Sequence, residues 1–304
     1  MHLDLNIEKY DKPESLEQIL DKSLTAWEKL YGAEPSERSF SLRFAGIIQR
    51  AFEQTGQRVA ILVDEYDKPM LQAIGDEALQ KSFRDTLKPF YGALKTMDGC
   101  IKFAILTGVT KFGKVSVFSD LNNLKDISMW NEFIDICGIS DKELHENLEP
   151  ELHEFAQAQG MTYEQFCNKL QEFYDGYHFT HNSIGIYNPF SLLNAFDRKE
   201  FGSYWFETGT PTYLVKLLKK HHYDLERIIH QKTDAQALNS FDSESVNPAP
   251  MFYQSGYLTI KEYDEEFGIY SLGFPNREVE ESFVRCLSPF YANTNKVEIP
   301  FKIQ

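Results

Sequence analysis

The first hundred residues alternate between strand-like and helix-like patterns. Apolar and polar positions alternate over residues 2–7, which predicts a half-buried strand at the beginning of the sequence. Apolar residues at helical spacing then predict helices over residues 13–31, 36–55 and 77–97. A strand that is followed by helices of this kind indicates an α/β arrangement.

Two continuous apolar runs lie between these helices and after them. Residues 59–63 and 101–107 show no alternation, as strands do when both faces of a parallel sheet are covered. The first run ends in two carboxylates and the second is followed by a glycine. Because ligands bind at the carboxyl ends of parallel strands, we predict a ligand site at this edge of the sheet. The predicted first domain covers residues 1–140.

The second predicted domain, residues 141–304, is mostly helical. Its helices are predicted over residues 141–159, 162–174, 189–196 and 212–221. Near the end, two alternating runs flank an acidic turn at residues 264–268, and a helix begins at Arg277. A hairpin followed by a helix predicts a winged-helix-like end.

The composition limits the compartment and the partners. A net charge of −15 and a pI near 5.0 disfavour non-specific binding of nucleic acid by the whole surface. The four cysteines are widely separated, as reduced core thiols are. No stretch reaches about 18 apolar residues, and the start lacks a signal-peptide pattern. We therefore predict a cytoplasmic protein that does not enter a membrane.

The strongest chemical motif is Val59-Ala-Ile-Leu-Val-Asp64-Glu65, an apolar strand that ends in two carboxylates. P-loop ATPases place such a Walker B pair beside the nucleotide, where the first carboxylate holds Mg²⁺ and the second polarises the attacking water. A buried strand suits this task because it fixes both side chains rigidly. The alternative is an ordinary strand end whose acidic residues face solvent.

A phosphate-binding loop has the pattern G-x-x-x-x-G-K-[S/T], and the sequence has only a near match to it at residues 108–115. Val115 stands where a hydroxyl should bind Mg²⁺, and Ser116 lies about 100° further around a helix. The segment also follows the Walker B strand rather than preceding it, so we disfavour it as a phosphate loop. Thr107, at the tip of the next strand, is a candidate sensor of the γ-phosphate, or else a turn cap.

Other clusters suggest weaker alternatives. Histidine pairs lack the spacing of a zinc site and are predicted to be surface or core residues; they are His145 with His153, His178 with His181, and His221 with His222. Lys216, Lys219 and Lys220 form a basic patch that either contacts nucleic acid or complements a helix C-terminus.

Five segments together resemble the AAA-ATPase-like family that is common in gut anaerobes. They are Val63-Asp-Glu-Tyr-Asp-Lys-Pro-Met70, Leu106-Thr-Gly-Val-Thr-Lys-Phe-Gly-Lys-Val-Ser-Val-Phe-Ser-Asp-Leu-Asn-Asn-Leu124, Tyr187-Asn-Pro-Phe-Ser-Leu-Leu193, Tyr204-Trp-Phe-Glu-Thr-Gly-Thr-Pro-Thr212 and Tyr253-Gln-Ser-Gly-Tyr-Leu-Thr259. The resemblance implies a P-loop NTPase-like parallel sheet, incomplete at its N-terminus, followed by a helical region and a winged-helix-like end. Full-length members carry an upstream phosphate loop and a C-terminal PD-(D/E)XK nuclease-like domain, so this chain is expected to be a central fragment.

The resemblance also implies roles for individual residues. It makes Asp64 the Mg²⁺ carboxylate, Glu65 the water-activating residue and Thr107 a catalytic sensor. It places Lys111 and Lys114 near the nucleotide, as ATP-binding residues. Six further positions are treated as structural: Asp67, Trp205, Glu207, Thr208, Gly209 and Arg277.

Three functions follow as hypotheses. The complete protein is expected to use ATP and Mg²⁺ to control its nuclease-like domain, which would bring nucleic acid as a partner, while this fragment binds ATP weakly or not at all and is inactive. The alternative is a non-catalytic protein-interaction or scaffold module. A nucleotide-independent metal hydrolase built on Asp64, Glu65 and Asp67 is disfavoured, because three carboxylates within four residues of one strand end cannot all converge. The sequence does not specify the oligomeric state.

Overall fold

The computed structural model of the chain describes residues 1–111, 118, 121–207, 231–239 and 247–291. The chain divides into two units. The first consists of Met1–Asp126 together with Gln236–Gln254, and the second of Ile127–Ala235 together with Ser255–Gln304. The return of the chain to the first unit at Gln236–Gln254 is not indicated by the sequence pattern.

A three-stranded parallel sheet is the centre of the first unit. Its strands are β1 (His2–Asp4), β2 (Val59–Asp64) and β3 (Ile101–Leu106), in the order β1-β2-β3. All three carboxyl ends therefore meet at one edge. The predicted parallel sheet is confirmed, and the strands end within a few residues of the predicted positions.

Four helices accompany this sheet. They are α1 (Pro13–Tyr31), α2 (Phe40–Thr55), α3 (Lys68–Gln72) and α4 (Glu77–Thr96). The predicted start of α2 is four residues too early, because Ser39 caps the helix by accepting a hydrogen bond from the Leu42 N–H. The sequence pattern does not indicate α3, which is only one turn long.

The helices α1, α2 and α4 pack together through aromatic side chains. Phe44 on α2 stacks on Phe90 of α4 with a centroid distance of 4.6 Å, and Trp27 of α1 stacks on Phe44. This cluster adjoins one face of the sheet, where Leu3, Ile61 and Val63 are buried. Alternate residues of the same strands point to the opposite face.

The second unit contains most of the remaining helices. They are α5 (Asp141–Asn147), α6 (Glu149–Ala158), α7 (Tyr163–Tyr174), α8 (Pro189–Arg198) and α9 (Tyr204–Glu207). The predicted single helix over residues 141–159 is wrong. The first helix ends before Leu148, and a second helix begins directly after that residue, with Pro150 in its first turn. The predicted helix over residues 212–221, with its basic patch and His221 and His222, lies outside the described residues.

Two antiparallel sheets belong to the second unit. One pairs β4 (Ile139–Ser140) with β5 (Ile186–Tyr187). The other has the order β6-β8-β7, formed by β6 (Lys232–Asp234), β7 (Thr259–Asp264) and β8 (Ile269–Gly273). The predicted hairpin is thus present as β7 and β8, while the third strand comes from a distant segment.

The remaining described elements complete the fold. They are α10 (Ala235–Leu238), α11 (Ala249–Gln254), α12 (Arg277–Tyr291) and two short 3₁₀ helices, Asp98–Cys100 and Asn131–Phe133. Helix α12 begins at the predicted residue. Within the described ranges, none of the helices combines the length and the apolar character needed to span a bilayer.

Candidate active site

The carboxyl edge of the parallel sheet gathers the polar residues that the sequence singles out. Asp4 at the end of β1 is in register with Asp64 at the end of β2, and Val63 is in register with Leu106 of β3. Thr107 extends the β2–β3 ladder by donating its N–H to the Val63 carbonyl at 2.9 Å. Three strand ends therefore bring Asp4, Asp64 and Thr107 to one edge.

Asp64 and Thr107 are in direct contact. The Thr107 hydroxyl donates to Asp64 Oδ1 at 2.5 Å, and the Glu65 N–H donates to the same oxygen at 3.1 Å. Within the described part of the chain, Asp64 Oδ2 has no hydrogen-bond donor. Asp64 is exposed at this strand end, so its second oxygen remains available as an acceptor or a metal ligand.

Glu65 occupies a sharp turn. Its φ is 56°, a left-handed conformation that is uncommon for residues other than glycine. The turn is fixed on both sides, because the Tyr66 N–H donates to the Thr107 carbonyl at 2.9 Å and the Lys68 N–H to the Glu65 carbonyl at 3.0 Å. Backbone strain of this kind costs on the order of 1–3 kcal/mol and concentrates at functional sites.

The electrostatic surroundings of Glu65 favour its protonated form. Partial burial raises the pKa of its carboxyl, and the negative charges of Asp67 and Asp64 raise that pKa further. The positive charge of Lys68 opposes the shift. A carboxyl group with a raised pKa is a better proton acceptor once ionised, which suits a general base.

Asp67 anchors the segment that follows β3. Its carboxylate is fully buried and accepts three hydrogen bonds, from the Val109 N–H at 3.1 Å, the Thr110 N–H at 2.6 Å and the Thr110 hydroxyl at 2.8 Å. Burial raises the pKa of this carboxyl, and the three donors offset part of that shift. Asp67 therefore binds the backbone after β3, in keeping with the structural role expected of it, although the sequence does not indicate which residues are its partners.

Tyr66 and Gly108 complete this anchor. The Tyr66 hydroxyl donates to the Thr110 carbonyl at 2.7 Å. A Cβ atom on Gly108 would overlap the Asp67 carboxylate and lie 2.9 Å from Tyr66 Cδ1. Only glycine fits at this position, because the chain passes directly over the Asp67 side chain.

Lys111 is held by ionic and polar contacts inside the first unit. Its ammonium pairs with Asp126 at 2.7 Å and also donates to the Asn239 side chain, while its N–H donates to Gln254 at 2.7 Å. Asn239 and Gln254 belong to the returning segment, which therefore braces the chain after β3. Lys114, the other predicted phosphate ligand, lies outside the described residues.

The turn after β1 contributes residues that the sequence does not single out. Asp4 Oδ1 accepts from the Asn6 N–H at 2.7 Å. Lys68 donates to the Asn6 carbonyl at 2.7 Å and also contacts the Asn6 side chain. The sequence gives only a weak indication of these contacts, because a single Asp or Asn after a short strand is common in ordinary turns.

Asp64 could be one ligand of a magnesium ion. No group of three or more His, Cys, Asp or Glu side chains in the described ranges is close enough together to hold a metal. Mg²⁺ does not need such a cage, because it is usually held by one or two carboxylates, substrate phosphates and water. Asp64 offers one such carboxylate, whose Oδ2 has no hydrogen-bond donor in the described part of the chain.

The residues considered structural have contacts within the second unit. The Trp205 N–H donates to Glu278 Oε1 at 2.9 Å, and the Ser191 hydroxyl donates to the same oxygen at 2.9 Å. The guanidinium of Arg277 pairs with Glu172 and Glu281. Glu207 is the last residue of α9. Thr208 and Gly209 lie outside the described residues.

Comparison with known proteins gives two matches. Residues 1–118 match a family model described as "Predicted AAA-ATPase". The chain is also 36% identical over 280 residues to the "Uncharacterized protein in vnfD 5'region" of Azotobacter chroococcum mcd 1, an alignment that covers 90% of this chain and 51% of that protein. The chain thus spans about half the length of this curated relative. No solved structure matches.

These matched residues contain the whole parallel sheet and the residues described at its carboxyl edge up to Lys111. Over residues 1–118, the match supports a relationship of the chain to the AAA-ATPase-like family.

Proposed function

We propose that the carboxyl edge of the β1–β3 sheet is the acidic half of a Mg²⁺–ATP site that hydrolyses ATP in the complete protein. The observation that carries the proposal is the hydrogen bond between Thr107 and Asp64, which joins the ends of two neighbouring strands. In P-loop ATPases a carboxylate and a polar residue at such neighbouring ends face the nucleotide.

Asp64 is the proposed magnesium carboxylate. The Thr107 hydroxyl and the Glu65 N–H both donate to Asp64 Oδ1. In the proposal, Asp64 Oδ2 then binds the magnesium ion without a change in these two hydrogen bonds. When bound, the ion would neutralise charge on the phosphate oxygens. Thr107 would then report the presence of the γ-phosphate, because its hydroxyl can exchange Asp64 for a phosphate oxygen.

Glu65 is the proposed general base. The turn at φ 56° takes Glu65 out of the strand that ends at Asp64, and in the proposal one carboxylate serves the metal and the other the attacking water. The raised pKa of Glu65 matches this role, because proton transfer is most efficient when the pKa of the base approaches the working pH. Two backbone hydrogen bonds hold this turn, from the Tyr66 N–H to the Thr107 carbonyl and from the Lys68 N–H to the Glu65 carbonyl.

The proposal assigns phosphate binding to polypeptide that is not among these 304 residues. Residues 108–115 only approximate the phosphate-loop pattern, and Lys111 would have to leave Asp126 to reach a phosphate. We extend the proposal to a nuclease-like domain controlled by ATP, for which the relative has room in the half that lies outside the alignment.

One observation favours the alternative function, a protein-interaction module without catalysis. Asp67 and Lys111 both hold the chain after β3 in place rather than facing a ligand. A sheet edge whose charged residues mainly stabilise the fold would serve equally well as a rigid scaffold.

ATP hydrolysis distinguishes the two functions. The chain should be compared with a version extended upstream by at least about 30 residues, the size of a strand, a loop and a helix. We expect turnover only in the extended protein. Replacement of Glu65 by Gln should lower it by roughly 100-fold or more while leaving binding of ATP intact.

The matched control is Glu53→Gln, which removes the charge of an exposed glutamate on α2. Its turnover should equal that of the parent. Absence of turnover from the extended protein, or full activity in Glu65→Gln, would favour the scaffold function.

A further inference from the structure

The residues that follow β3 are held on two sides within the first unit. We name residues 107–111 the post-β3 segment. On one side this segment contacts the carboxyl edge of the sheet, because the Thr107 hydroxyl donates to Asp64 and the N–H and hydroxyl of Thr110 donate to Asp67. A shift of the segment along this edge would therefore move the Thr107 hydroxyl relative to Asp64.

On its other side, the post-β3 segment is bound by a glutamine of the returning segment. The Lys111 N–H donates to Gln254 Oε1 at 2.7 Å, and Gln254 Nε2 donates to the Leu238 carbonyl at 2.7 Å. The amide uses its acceptor for one partner and its donor for the other, so one orientation of the side chain satisfies both. Gln254 thus fixes the backbone at Lys111 relative to the end of α10.

The side chain of Lys111 adds an ionic contact to this arrangement. Its ammonium pairs with Asp126 at 2.7 Å and also donates to the Asn239 side chain. The side chains of Lys111 and Asp126 are only 12% and 25% exposed, so solvent screens their attraction weakly. Asn239 and Gln254 lie near the two ends of the returning segment, and Lys111 is therefore bound close to both of those ends.

The returning segment continues directly from a strand of the second unit. Asp234, the last residue of β6, is in register with Ile269 of β8. Helix α10 begins at the next residue and is followed at once by Asn239. Because β6 and α10 follow each other without a loop, a displacement of β6 would be passed through regular structure to Asn239 and from there to Lys111.

We infer that Lys111 and Gln254 are positioning residues that couple the carboxyl edge to β6 through the returning segment. A coupling free energy is reciprocal, so a change at β6 alters the position of Thr107, and a ligand that contacts Thr107 alters the pairing of β6. The second unit would in this way regulate the chemistry at the edge. The assignment of that chemistry to ATP hydrolysis rests on the proposed function, whereas the coupling itself does not.

Hydrogen exchange in the absence of nucleotide tests the coupling. Lys111→Met removes the contacts of the ammonium with Asp126 and Asn239 and leaves the backbone N–H of residue 111 in place. We expect the backbone amides of β6 to exchange about tenfold faster, because the loss of charge-assisted hydrogen bonds makes local opening of the attached segment easier. Unchanged exchange in β6 would overturn the inference.

Arg50→Met is the matched control for this substitution. Arg50 on α2 pairs with Glu37 at 2.6 Å, and the two side chains are 16% and 14% exposed, so the pair is about as buried as that of Lys111. Neither residue belongs to the post-β3 segment or to the returning segment. We expect the exchange of β6 to stay at the parent rate. Equal acceleration in Arg50→Met and Lys111→Met would show a general loss of stability and would overturn the inference.

Two substitutions of Gln254 separate positioning from packing. Gln254→Glu keeps an oxygen that accepts from the Lys111 N–H and loses the donor to the Leu238 carbonyl, whereas Gln254→Leu loses both. We expect the amides of the post-β3 segment to exchange about tenfold faster in Gln254→Leu and close to the parent rate in Gln254→Glu. Equal acceleration in these two variants would contradict the positioning role of Gln254.

Turnover of ATP by the complete protein gives a readout that packing alone would not change. We expect Gln254→Leu to lower kcat by about tenfold with KM nearly unchanged, because Thr107 is proposed to act at the γ-phosphate, and we expect Gln254→Glu to retain most of kcat. An unchanged kcat in Gln254→Leu would overturn the inference. A complete protein that shows the coupled exchange but no ATP turnover would contradict the proposed function alone.

Discussion

At the scale of single residues, the carboxyl edge combines strain with unusual electrostatics. Glu65 adopts a left-handed backbone conformation and is surrounded by the carboxylates of Asp4, Asp64 and Asp67. Neither feature stabilises the fold, so their presence together is easier to explain by chemistry than by packing. Gly108, by contrast, matters for packing alone, because a Cβ atom at this position would overlap the Asp67 carboxylate.

Gly108→Ala tests the steric requirement. The new Cβ would overlap the Asp67 carboxylate, and we expect a loss of about 1–3 kcal/mol in the free energy of unfolding of the first unit. Trp27 is the one tryptophan of that unit, so its fluorescence in a Trp130→Phe, Trp205→Phe background follows urea unfolding there.

Gly92→Ala is the matched control for that substitution. A Cβ at Gly92 in α4 meets no atom within 4 Å, and alanine is the better helix former. We expect a gain of about 0.5–1 kcal/mol. If the two alanine variants were equally stable, the proposed close passage of the chain over Asp67 would be wrong.

The pKa of Glu65 predicts a pH-dependent stability difference. The folded pKa is raised above the ordinary value of about 4.3, so the unfolded chain releases this proton at lower pH than the folded chain does. The wild type therefore loses stability as the pH rises from that value through the folded pKa. Glu65→Gln lacks this loss.

We expect Glu65→Gln and the wild type to be about equally stable near pH 4, and the variant to be the more stable near pH 7.5. Urea unfolding followed by Trp27 fluorescence at both pH values measures the difference. A variant that becomes relatively less stable as the pH rises would show that the carboxylate is stabilised, not penalised, in the fold.

At the scale of elements, sequence patterning predicts most of the first unit and little of what joins its parts. Strong periodicity identifies α1, α2 and α4, and the apolar runs identify β2 and β3, because burial dictates residue type at those positions. Helix α3 is too short for a periodic pattern, and the Asp67 anchor depends on hydrogen bonds to a backbone more than 40 residues away, a partner that a local pattern does not encode. The same reason explains why the pairing of β6 with β8 is missed.

The Asp67 anchor predicts a destabilised connection after β3. Asp67→Ala leaves the Val109 N–H, the Thr110 N–H and the Thr110 hydroxyl without their buried acceptor, which should cost about 2–4 kcal/mol in the first unit. Thr110→Val removes one donor at nearly constant shape and should cost about 1 kcal/mol.

The double variant Asp67→Ala, Thr110→Val then measures the coupling between the two side chains. Because they share a hydrogen bond, the combined loss should be smaller than the sum by about 0.5–1.5 kcal/mol. Strict additivity would mean that this hydrogen bond does not form in solution.

At the scale of the whole molecule, the sequence predicts two units but not how the chain is shared between them. Gln236–Gln254 returns to the first unit and braces Lys111 through Asn239 and Gln254. Such a return depends on long-range contacts, so periodicity and composition carry no signal for it. The acidic edge was predictable because adjacent carboxylates at the end of an apolar strand are a local motif with a specific chemistry. The positions of Lys111 and Asp67 were not, because their partners are distant in sequence.

Magnesium-dependent binding of ATP tests the central claim, that the carboxyl edge is the acidic half of a Mg²⁺–ATP site. Calorimetric titration of the upstream-extended protein with ATP, with and without Mg²⁺, should show tighter binding when the ion is present. Asp64→Asn should abolish that difference, since Asp64 is the proposed metal ligand. If Asp64→Asn bound Mg²⁺–ATP as tightly as the parent, the assignment of this edge to the nucleotide would be contradicted.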